Sequence, residues 1–298
     1  MDQVVGVIGL GAMGLPMATR LARAGFRLAV FDVNPAAAES VRAEGAVEAA
    51  ADPQALVEAS DILLTCLPNP RVVEAVYAEV AKPGLLACDC STVGPRLAMR
   101  LHDRLAARGV RYLECPMLGA PAQAADGTLF LILSGDEAAP RELQPILDVL
   151  SRGQRYVGGP GQASLIKVVQ NGLGLVQAVA IGEALSVLAK AGADLKTFCE
   201  VVAEGHGMAD TPLFRAKAKA MLEAEPPVMG ALRIGAKDIG LACALAAEEG
   251  VSAPLLQHTA DVLQSAMQMG LGEADLAALA RAVERRAGVT FSGSRTNA

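Results

Sequence analysis

Residues 161–191 read GQASLIKVVQNGLGLVQAVAIGEALSVLAKA, and this stretch organises the whole chain. It contains no proline, and most of its residues are apolar or small, so it predicts one long helix that is buried nearly all round. Strand and helix patterns alternate before it, and no strand pattern follows it. We therefore interpret it as the link between an α/β domain and an all-helical one. Two apolar stripes run along it at helical spacing: Leu165, Val169, Leu173 and Val176, and beside them Val168, Leu175 and Val179.

One narrow polar strip interrupts this apolar helix. Lys167 and Asn171 are four residues apart and share a face, among small or polar neighbours such as Ala163 and Gly174. Most helical lysines are simply solvated. Here apolar residues flank the lysine on both sides, and burial favours the uncharged amine, which suits proton transfer near neutral pH. The strip is therefore our candidate catalytic site, with Lys167 as general acid/base.

The N-terminal segment carries a dinucleotide-binding pattern. Val4 to Ile8 predicts a buried parallel strand, Gly9-Leu10-Gly11-Ala12-Met13-Gly14 follows at once, and a helix pattern runs on to Gly25. The first glycine permits a tight turn, the second lets the backbone approach a pyrophosphate, and the third lets strand and helix pack closely. The alternative is a glycine-rich turn in an unrelated α/β domain.

Asp32 supports the dinucleotide interpretation and bears on which dinucleotide binds. It ends the second strand pattern, RLAVFD, eighteen residues after Gly14. A carboxylate there accepts hydrogen bonds from the ribose hydroxyls and repels a 2′-phosphate, and no arginine follows to bind such a phosphate. We predict that NAD is preferred, with NADP possible.

The remaining patterns complete an α/β fold with a Rossmann-type doubly wound sheet, then the long interdomain helix and an all-α C-terminal domain. We place the NAD-binding domain at residues 1–160, the helical domain at 161–288 and a loose tail at 289–298. Further strands are predicted at 60–67, 84–91, 110–113, 128–134 and 155–157, with a helix at 137–150. The later helices are predicted near 195–204, 212–222, 235–249, 254–269 and 273–287.

Composition excludes several classes of function. The 298 residues are 52% hydrophobic with a net charge of −6 and no basic cluster, so nucleic acid is not an expected partner. Lys167, Asn171 and Glu183 argue against a membrane span, and because the first strand pattern begins almost at Met1 we expect no signal peptide. Six cysteines without metal-ligand spacing predict buried thiols in the cytoplasm and no metal site.

The chain resembles the β-hydroxyacid dehydrogenase family over nearly its whole length. VGVIGLGAMG at residues 5–14, DCSTVGP at 89–95, GQASLIKVVQN at 161–171 and GAKDIGLA at 235–242 are similar to the family's four signatures. The resemblance implies hydride transfer between a nicotinamide cofactor and a small 3-hydroxy acid, or the matching semialdehyde or oxo acid.

The resemblance also implies roles for individual residues. Lys167 would be the general acid/base and Asn171 would orient the substrate. Lys237 would reach over both cofactor and substrate. The nicotinamide half of the cofactor would be lined by Leu67, Pro68, Asn69 and Thr92, and the substrate by Ser91, Leu118, Gly119 and Ala120. Ser91 or Thr92 has a plainer alternative, as a cap for the helix that starts near Gly94.

The sequence departs from the family pattern mainly around the substrate. Leu118 and Ala120 stand where the family usually has serine and glycine, Ala163 replaces a glycine before the lysine, and Gly230 replaces a frequent aromatic residue. These departures favour a substrate different from those of the best-known members. They leave the hydride-transfer residues unchanged.

Three alternatives remain at this stage. An imine reductase of the same architecture usually lacks the lysine, and a sugar-phosphate dehydrogenase has an extra helical repeat and a phosphate-binding cluster. A non-catalytic NAD-binding interaction module would not need Lys167. We also expect a homodimer or homotetramer, because a helix of about 31 residues spans roughly 45 Å and leaves apolar surface to bury.

Overall fold

A computed structural model describes residues 3–291 of the chain. The chain divides into two compact units, of which the first ends at Lys167 and the second begins at Val168. This division falls inside the long helix, whereas the sequence patterns placed the boundary just before it. The lysine of the polar strip is therefore the last residue of the first unit.

The first unit is built on a nine-stranded sheet in the order β3-β2-β1-β4-β5-β6-β8-β7, with β9 paired to β8. Strands β1 to β6 pair in parallel, and β8 runs antiparallel to both β6 and β7. The order reverses between β1 and β4, which is the point where such sheets bind ligands. The strands are β1 (Val4–Ile8), β2 (Arg27–Phe31), β3 (Val47–Ala49), β4 (Ile62–Thr65), β5 (Leu86–Asp89), β6 (Arg111–Glu114), β7 (Met117–Leu118), β8 (Leu129–Gly135) and β9 (Ser151–Tyr156).

Helices cover both faces of this sheet, which confirms the doubly wound α/β fold. One apolar cluster packs α1, α2, α6 and α8 on one face, and a second packs α3, α4 and α5 on the other. These helices are α1 (Gly14–Arg23), α2 (Pro35–Arg42), α3 (Pro53–Ala59), α4 (Pro70–Glu79), α5 (Pro95–Ala106), α6 (Pro121–Asp126), α7 (Ala139–Glu142) and α8 (Gln144–Leu150).

Local capping explains where three of these helices begin. Asn34, Asp52 and Asn69 each precede a proline, and each side chain accepts a hydrogen bond from a backbone N–H in the first helical turn. The side chain satisfies a free donor, and the proline occupies a position that needs none. Proline also explains a difference from prediction: the helix expected at 137–150 is two helices, because Pro145 cannot continue the first.

The second unit is helical, as the sequence predicted. Its helices are α9 (Gln162–Lys190), which begins in the first unit, α10 (Leu195–Gly205), α11 (Pro212–Lys217), α12 (Leu232–Glu248), α13 (Pro254–Gln268) and α14 (Leu279–Ala287). Short 3₁₀ turns at Ala220–Leu222 and Leu276–Ala278 replace the outer parts of two predicted helices. Phe291 is buried at 2% exposure, so the expected loose tail is packed at its start, and residues 292–298 lie outside the described residues.

The long helix is buried on one face only, which corrects the expectation that it is buried nearly all round. Its stripe of Val168, Leu175 and Val179 is buried, whereas Val169 and Leu173 of the other stripe are exposed. By length and composition α9 would pass as a membrane span, as core helices of globular proteins also do. Packing within the chain does not cover the exposed apolar residues of α9, such as Val169 and Leu173.

A buried ion pair fixes the segment that leads into α12. Asp275 accepts hydrogen bonds from Lys217 at 2.6 Å and from the backbone N–H of Met229 at 2.8 Å and Gly230 at 3.2 Å. Although burial opposes ionisation, the Lys217 ammonium and these backbone donors hold the pKa of Asp275 below its usual value. Such a fully bonded pair is costly to break from one side. It sets the start of the helix that carries Lys237.

Candidate active site

The glycine-rich turn after β1 has the geometry that close packing requires. Gly9 has φ of +94°, and a side chain there would place Cβ 2.4 Å from the Cys66 carbonyl oxygen. At Gly14 an added Cβ would lie 1.9 Å from the Gly9 carbonyl oxygen. Both glycines are therefore required by the fold itself. Leu10 is buried beneath the turn, and Ala12 and Met13 complete it before α1 begins.

Gly11 differs from the other two glycines. No described atom lies within 4 Å of a Cβ added at this position, and the residue is exposed. The protein by itself therefore accepts a side chain there. An exposed glycine without a protein neighbour leaves room for the close approach of a pyrophosphate.

Asp32 lies at the carboxyl end of β2, where the sequence placed it. One carboxylate oxygen accepts the N–H of Leu10 at 2.6 Å, and the other accepts the N–H of Asn34 at 2.8 Å. The side chain is thus fixed beside the glycine-rich turn, and each oxygen keeps acceptor capacity for a ribose hydroxyl. These residues fit an adenine dinucleotide.

The segments after β4 and β5 meet at the same edge of the sheet. The N–H of Leu67 donates to the hydroxyl of Ser91 at 2.9 Å, which joins the two segments. The side chain of Asn69 caps α4 by accepting the N–H of Val72. Pro68, between Leu67 and Asn69, is exposed. The N-cap residue of α5 is Gly94, and the hydroxyl of Ser91 instead accepts the N–H of Leu67.

A buried carboxylate beneath this edge was not assigned a role from the sequence. Asp89 accepts hydrogen bonds from the hydroxyls of Thr65 at 2.8 Å and Tyr112 at 3.1 Å, and from the N–H of Ser91 at 2.9 Å. Burial raises the pKa of Asp89 above its usual value. An acidic residue inside the apolar run LLACDC was the available signal. Its network fixes the backbone that presents Ser91.

The loop from β7 to α6 contains the substrate residues that the resemblance implied. Leu118 ends β7 and Gly119 has φ of +140°. The N–H of Ala120 already donates to the side chain of Gln123 at 2.9 Å. The backbone N–H of Ala120 is therefore engaged within the protein.

Lys167 is half-buried and held by the same segment. Its ammonium Nζ donates to the carbonyl oxygen of Met117 at 2.7 Å, within the first unit. Nearby, the buried carboxylate of Glu114 accepts hydrogen bonds from Gly161 and Ser164 at the start of α9. The structure thus brings the predicted lysine to the predicted substrate loop. The part played by Glu114 was not foreseen.

The second unit holds its own polar group. Asn171 donates through Nδ2 to Asp238 at 2.7 Å, and the other carboxylate oxygen of Asp238 lies 2.8 Å from the Nζ of Lys237. Asp238 is buried and orients the Asn171 amide by a hydrogen bond, whereas its contact with the Lys237 ammonium is an ion pair without hydrogen-bond geometry. Sequence reasoning named Asn171 and Lys237 but gave Asp238 no role, although it follows directly in the K-D signature.

Three cysteines cluster beneath the sheet edge. The sulfur atoms of Cys88, Cys90 and Cys115 lie within 4.8 Å of one another, and all three residues are buried. The sequence pattern linked only Cys88 and Cys90. Cys115 lies beside them because it follows β6, and β6 pairs with β5. Hydrogen bonds among the thiols, together with burial, raise the pKa of Cys90 and Cys115 well above the usual value. All three cysteines belong to the apolar core of the first unit.

A doubly wound sheet with a bare glycine turn, a fixed carboxylate after β2 and an appended helical unit defines a dinucleotide-binding oxidoreductase. Residues 4–159 match the NAD-binding domain of 6-phosphogluconate dehydrogenase, and residues 161–283 match the NAD-binding region of NADP-dependent 3-hydroxyisobutyrate dehydrogenase. The chain belongs to the β-hydroxyacid dehydrogenase family and is an NAD(P)-dependent dehydrogenase that acts on CH–OH groups.

Individual relatives support the same assignment. The chain is 31% identical to 2-(hydroxymethyl)glutarate dehydrogenase of Eubacterium barkeri over 98% of each chain. It is 30% identical to the NAD-dependent L-serine dehydrogenase of Pseudomonas aeruginosa, over 91% of this chain and 94% of that one. Its fold is similar to that of 3-hydroxyisobutyrate dehydrogenase from Salmonella typhimurium, with a TM-score of 0.85, 30% identity, and coverage of 94% of this chain and 99% of that one.

Gly14, which has no room for a side chain, and Gly11, which has room for one, give a matched pair of variants. Gly14→Ala should lower the thermal unfolding temperature, because its Cβ collides with the Gly9 carbonyl oxygen. Gly11→Ala should leave the unfolding temperature of the ligand-free protein unchanged but weaken NADH binding at least about tenfold. Thermal melts and NADH fluorescence titration measure the two effects, and unchanged NADH affinity in Gly11→Ala would contradict the pyrophosphate assignment.

Proposed function

We propose that the enzyme oxidises the hydroxyl group of a small 3-hydroxy acid, and catalyses the reverse reduction, with Lys167 as the general acid/base. The observation that carries this proposal is the hydrogen bond of 2.7 Å from the Lys167 ammonium to the carbonyl oxygen of Met117. That bond keeps the amine beside the loop of Leu118, Gly119 and Ala120. Proton-transfer chemistry needs a titratable group held in this way next to the reacting oxygen.

Each residue has a defined task in this proposal. When bound, the nicotinamide supplies the acceptor for the hydride that leaves the substrate carbon. Lys167 in its neutral form takes the hydroxyl proton, and in reduction its ammonium form donates that proton to the carbonyl oxygen. The ammonium also stabilises negative charge that develops on this oxygen. Ser91 and the 118–120 loop line the substrate, and Leu67, Pro68, Asn69 and Thr92 line the nicotinamide half of the cofactor.

The resemblance to the family assigns tasks to two further groups, the Asn171 amide and the Lys237 ammonium. Asp238 holds the Asn171 amide in one orientation, which leaves the amide oxygen and one N–H for a substrate. Lys237, paired with the same carboxylate, supplies a positive charge suited to a carboxylate or to the cofactor. A fixed amide and a fixed cation are the groups that bind and orient a small hydroxy acid.

The chemistry of the relatives' substrates narrows the class. Serine, 3-hydroxyisobutyrate and 2-(hydroxymethyl)glutarate, named for three similar enzymes, all carry a hydroxymethyl group on the carbon next to a carboxylate. We therefore place the substrate among 2-substituted 3-hydroxypropanoates. Leu118 in the loop adds apolar surface where the family usually has a serine, which favours a substituent that is not strongly polar.

We also propose a cytoplasmic enzyme without a macromolecular substrate. The chain has six cysteines, four of which are buried, and buried cysteines of this kind suit a reducing compartment. The net charge of −6 disfavours nucleic acid as a partner.

Replacing the lysine tests the proposed function. Short 3-hydroxy acids are first screened by thermal shift with NAD and then by NADH formation. With the best substrate, Lys167→Ala should lower kcat at least about a hundredfold, because the hydroxyl proton loses its acceptor. Lys190→Ala, at the far end of the same helix, is the matched control and should keep full turnover. Turnover of Lys167→Ala within tenfold of the wild type would exclude the assignment.

The carboxylate after β2 predicts the cofactor preference. Asp32 is held by two backbone N–H groups and repels a 2′-phosphate, so kcat/KM should be higher with NAD than with NADP. Asp32→Ser should lower the ratio of kcat/KM with NAD to kcat/KM with NADP by about tenfold or more, because it removes the charge that repels the 2′-phosphate. Steady-state kinetics with both cofactors decide the point, and a wild-type preference for NADP would refute it.

We further propose a homo-oligomer that uses the exposed stripe of α9. This stripe contains Ile166, Val169, Leu173 and Val187, which are 42%, 55%, 59% and 70% exposed. Large apolar side chains exposed along a helix are costly to leave in water, and a second copy of the chain covers them most simply. A dimer or tetramer therefore accounts for the exposed half of the helix.

Light scattering at micromolar concentration tests the assembly. We expect a mass at least twice the 30.6 kDa of one chain. Val187→Glu should shift the protein toward the monomer, because it places a charge in the stripe, whereas Lys190→Glu in the next turn should not. A wild-type mass near one chain would refute the oligomer.

A further inference from the structure

We infer that Glu114 is a positioning residue for Lys167: its carboxylate caps the N-terminus of α9 from the end of strand β6 and thereby fixes where the lysine amine lies. The inference rests on the proposed role of Lys167. It assigns a task to a buried acidic residue that no part of the mechanism above uses.

The contacts of the carboxylate define a helix cap. One oxygen of Glu114 accepts the N–H of Gly161 at 2.5 Å. The other accepts the N–H of Ser164 at 3.1 Å and the hydroxyl of Ser164 at 2.5 Å. The residue is only 1% exposed, so these donors take the place of water. Two of the first N–H groups around the helix start are thus satisfied by one side chain.

The long helix needs this help because it has no local cap. Its first residue is Gln162, and the preceding Gly161 has no side chain that could accept a hydrogen bond. The N–H of Ala163 is met in the same way from the sheet, by the buried hydroxyl of Ser134 at 2.9 Å. A negative charge at a helix N-terminus is also favoured by the helix dipole. The sheet therefore sets the position of the first turn of α9.

The same short segment holds the next turn through the lysine itself. Met117, three residues after Glu114, accepts the Lys167 ammonium, and Lys167 is three residues after Ser164. The segment is in turn fixed to the sheet by two backbone hydrogen bonds. The N–H of Cys115 donates to the backbone carbonyl of Asp89, and the Pro116 carbonyl accepts the N–H of Ile132. Residues 114–117 thus contact α9 at two successive turns, through Glu114 at the helix start and through Met117 at Lys167. Loss of the first contact frees the helix start to move with respect to the second.

Conservative substitutions separate the cap from simple packing. Glu114→Gln keeps the shape but turns an N–H₂ group toward backbone donors, so it removes hydrogen bonds without opening a cavity. Glu114→Asp keeps the charge on a shorter side chain and should restore part of the function. Ser164→Ala removes one of the three hydrogen bonds and should have a smaller effect in the same direction.

A labelling experiment tests the link without any substrate. In the ligand-free full-length protein, acylation of individual lysines is followed by mass spectrometry, with exposed Lys196 as the internal reference. Glu114→Gln should raise the rate at Lys167 about twofold or more, because the hydrogen bond to Met117 is held less firmly. Unchanged labelling of Lys167 in a folded Glu114→Gln protein would overturn the inference. If that variant does not fold, unchanged labelling in both Ser164→Ala and Glu114→Asp would overturn it.

A double-mutant cycle then distinguishes positioning from general structural damage. With wild-type Lys167, Glu114→Gln should lower kcat about tenfold or more and leave the KM for NAD unchanged. In the Lys167→Ala background the same change should lower kcat less than about twofold, because the group it positions is absent. Equal losses in both backgrounds would overturn the inference. Should Lys167→Ala itself leave turnover intact, the proposed function fails, while the labelling result still decides whether Glu114 positions Lys167.

Discussion

The position of Lys167 depends on how the start of the longest helix obtains its hydrogen-bond partners. Helix α9 begins after a glycine, so its first N–H groups have no acceptor close by in sequence, and buried donors without partners are costly. Glu114 and Ser134, from the ends of two strands, supply the acceptors. This exchange anchors the first turn of α9 to the carboxyl edge of the sheet. Lys167 lies one turn later, so the position of its backbone is set by these contacts.

Short-range constraints hold the residues that we propose to bind the cofactor at the same edge of the sheet. Gly9 and Gly14 are so close to carbonyl oxygens that no side chain fits, which draws β1 and α1 together. Asp32 fixes the turn from the side by accepting the N–H of Leu10. Beneath it, Asp89 gathers Thr65 and Tyr112 and orders the backbone at Ser91. Buried polar networks of this kind stabilise one arrangement because every member is satisfied.

The helical unit uses buried aspartates for a similar purpose. Asp275 joins Lys217 to the segment before α12, and Asp238 joins Asn171 to Lys237. Both carboxylates are buried; Asp238 of α12 holds Asn171 of α9, and Asp275 holds the end of α11 to the segment before α12. Each therefore fixes the register of one helix against another at a point where apolar packing alone would tolerate sliding.

The sequence by itself determined the fold class, the glycine turn, Asp32 and the pairing of Lys167 with Asn171 on one helix, because each follows from spacing over a few residues. It also predicted the family, which the comparisons confirmed. Only the tertiary structure assigned Glu114, Asp89 and Asp238 their partners, since each bonds to residues brought near by strand order or helix packing. It likewise brought Cys115 beside the two cysteines of β5 and left one stripe of α9 exposed. Periodicity shows which residues of a helix are apolar, but burial depends on what packs against each face, and no local pattern contains that information.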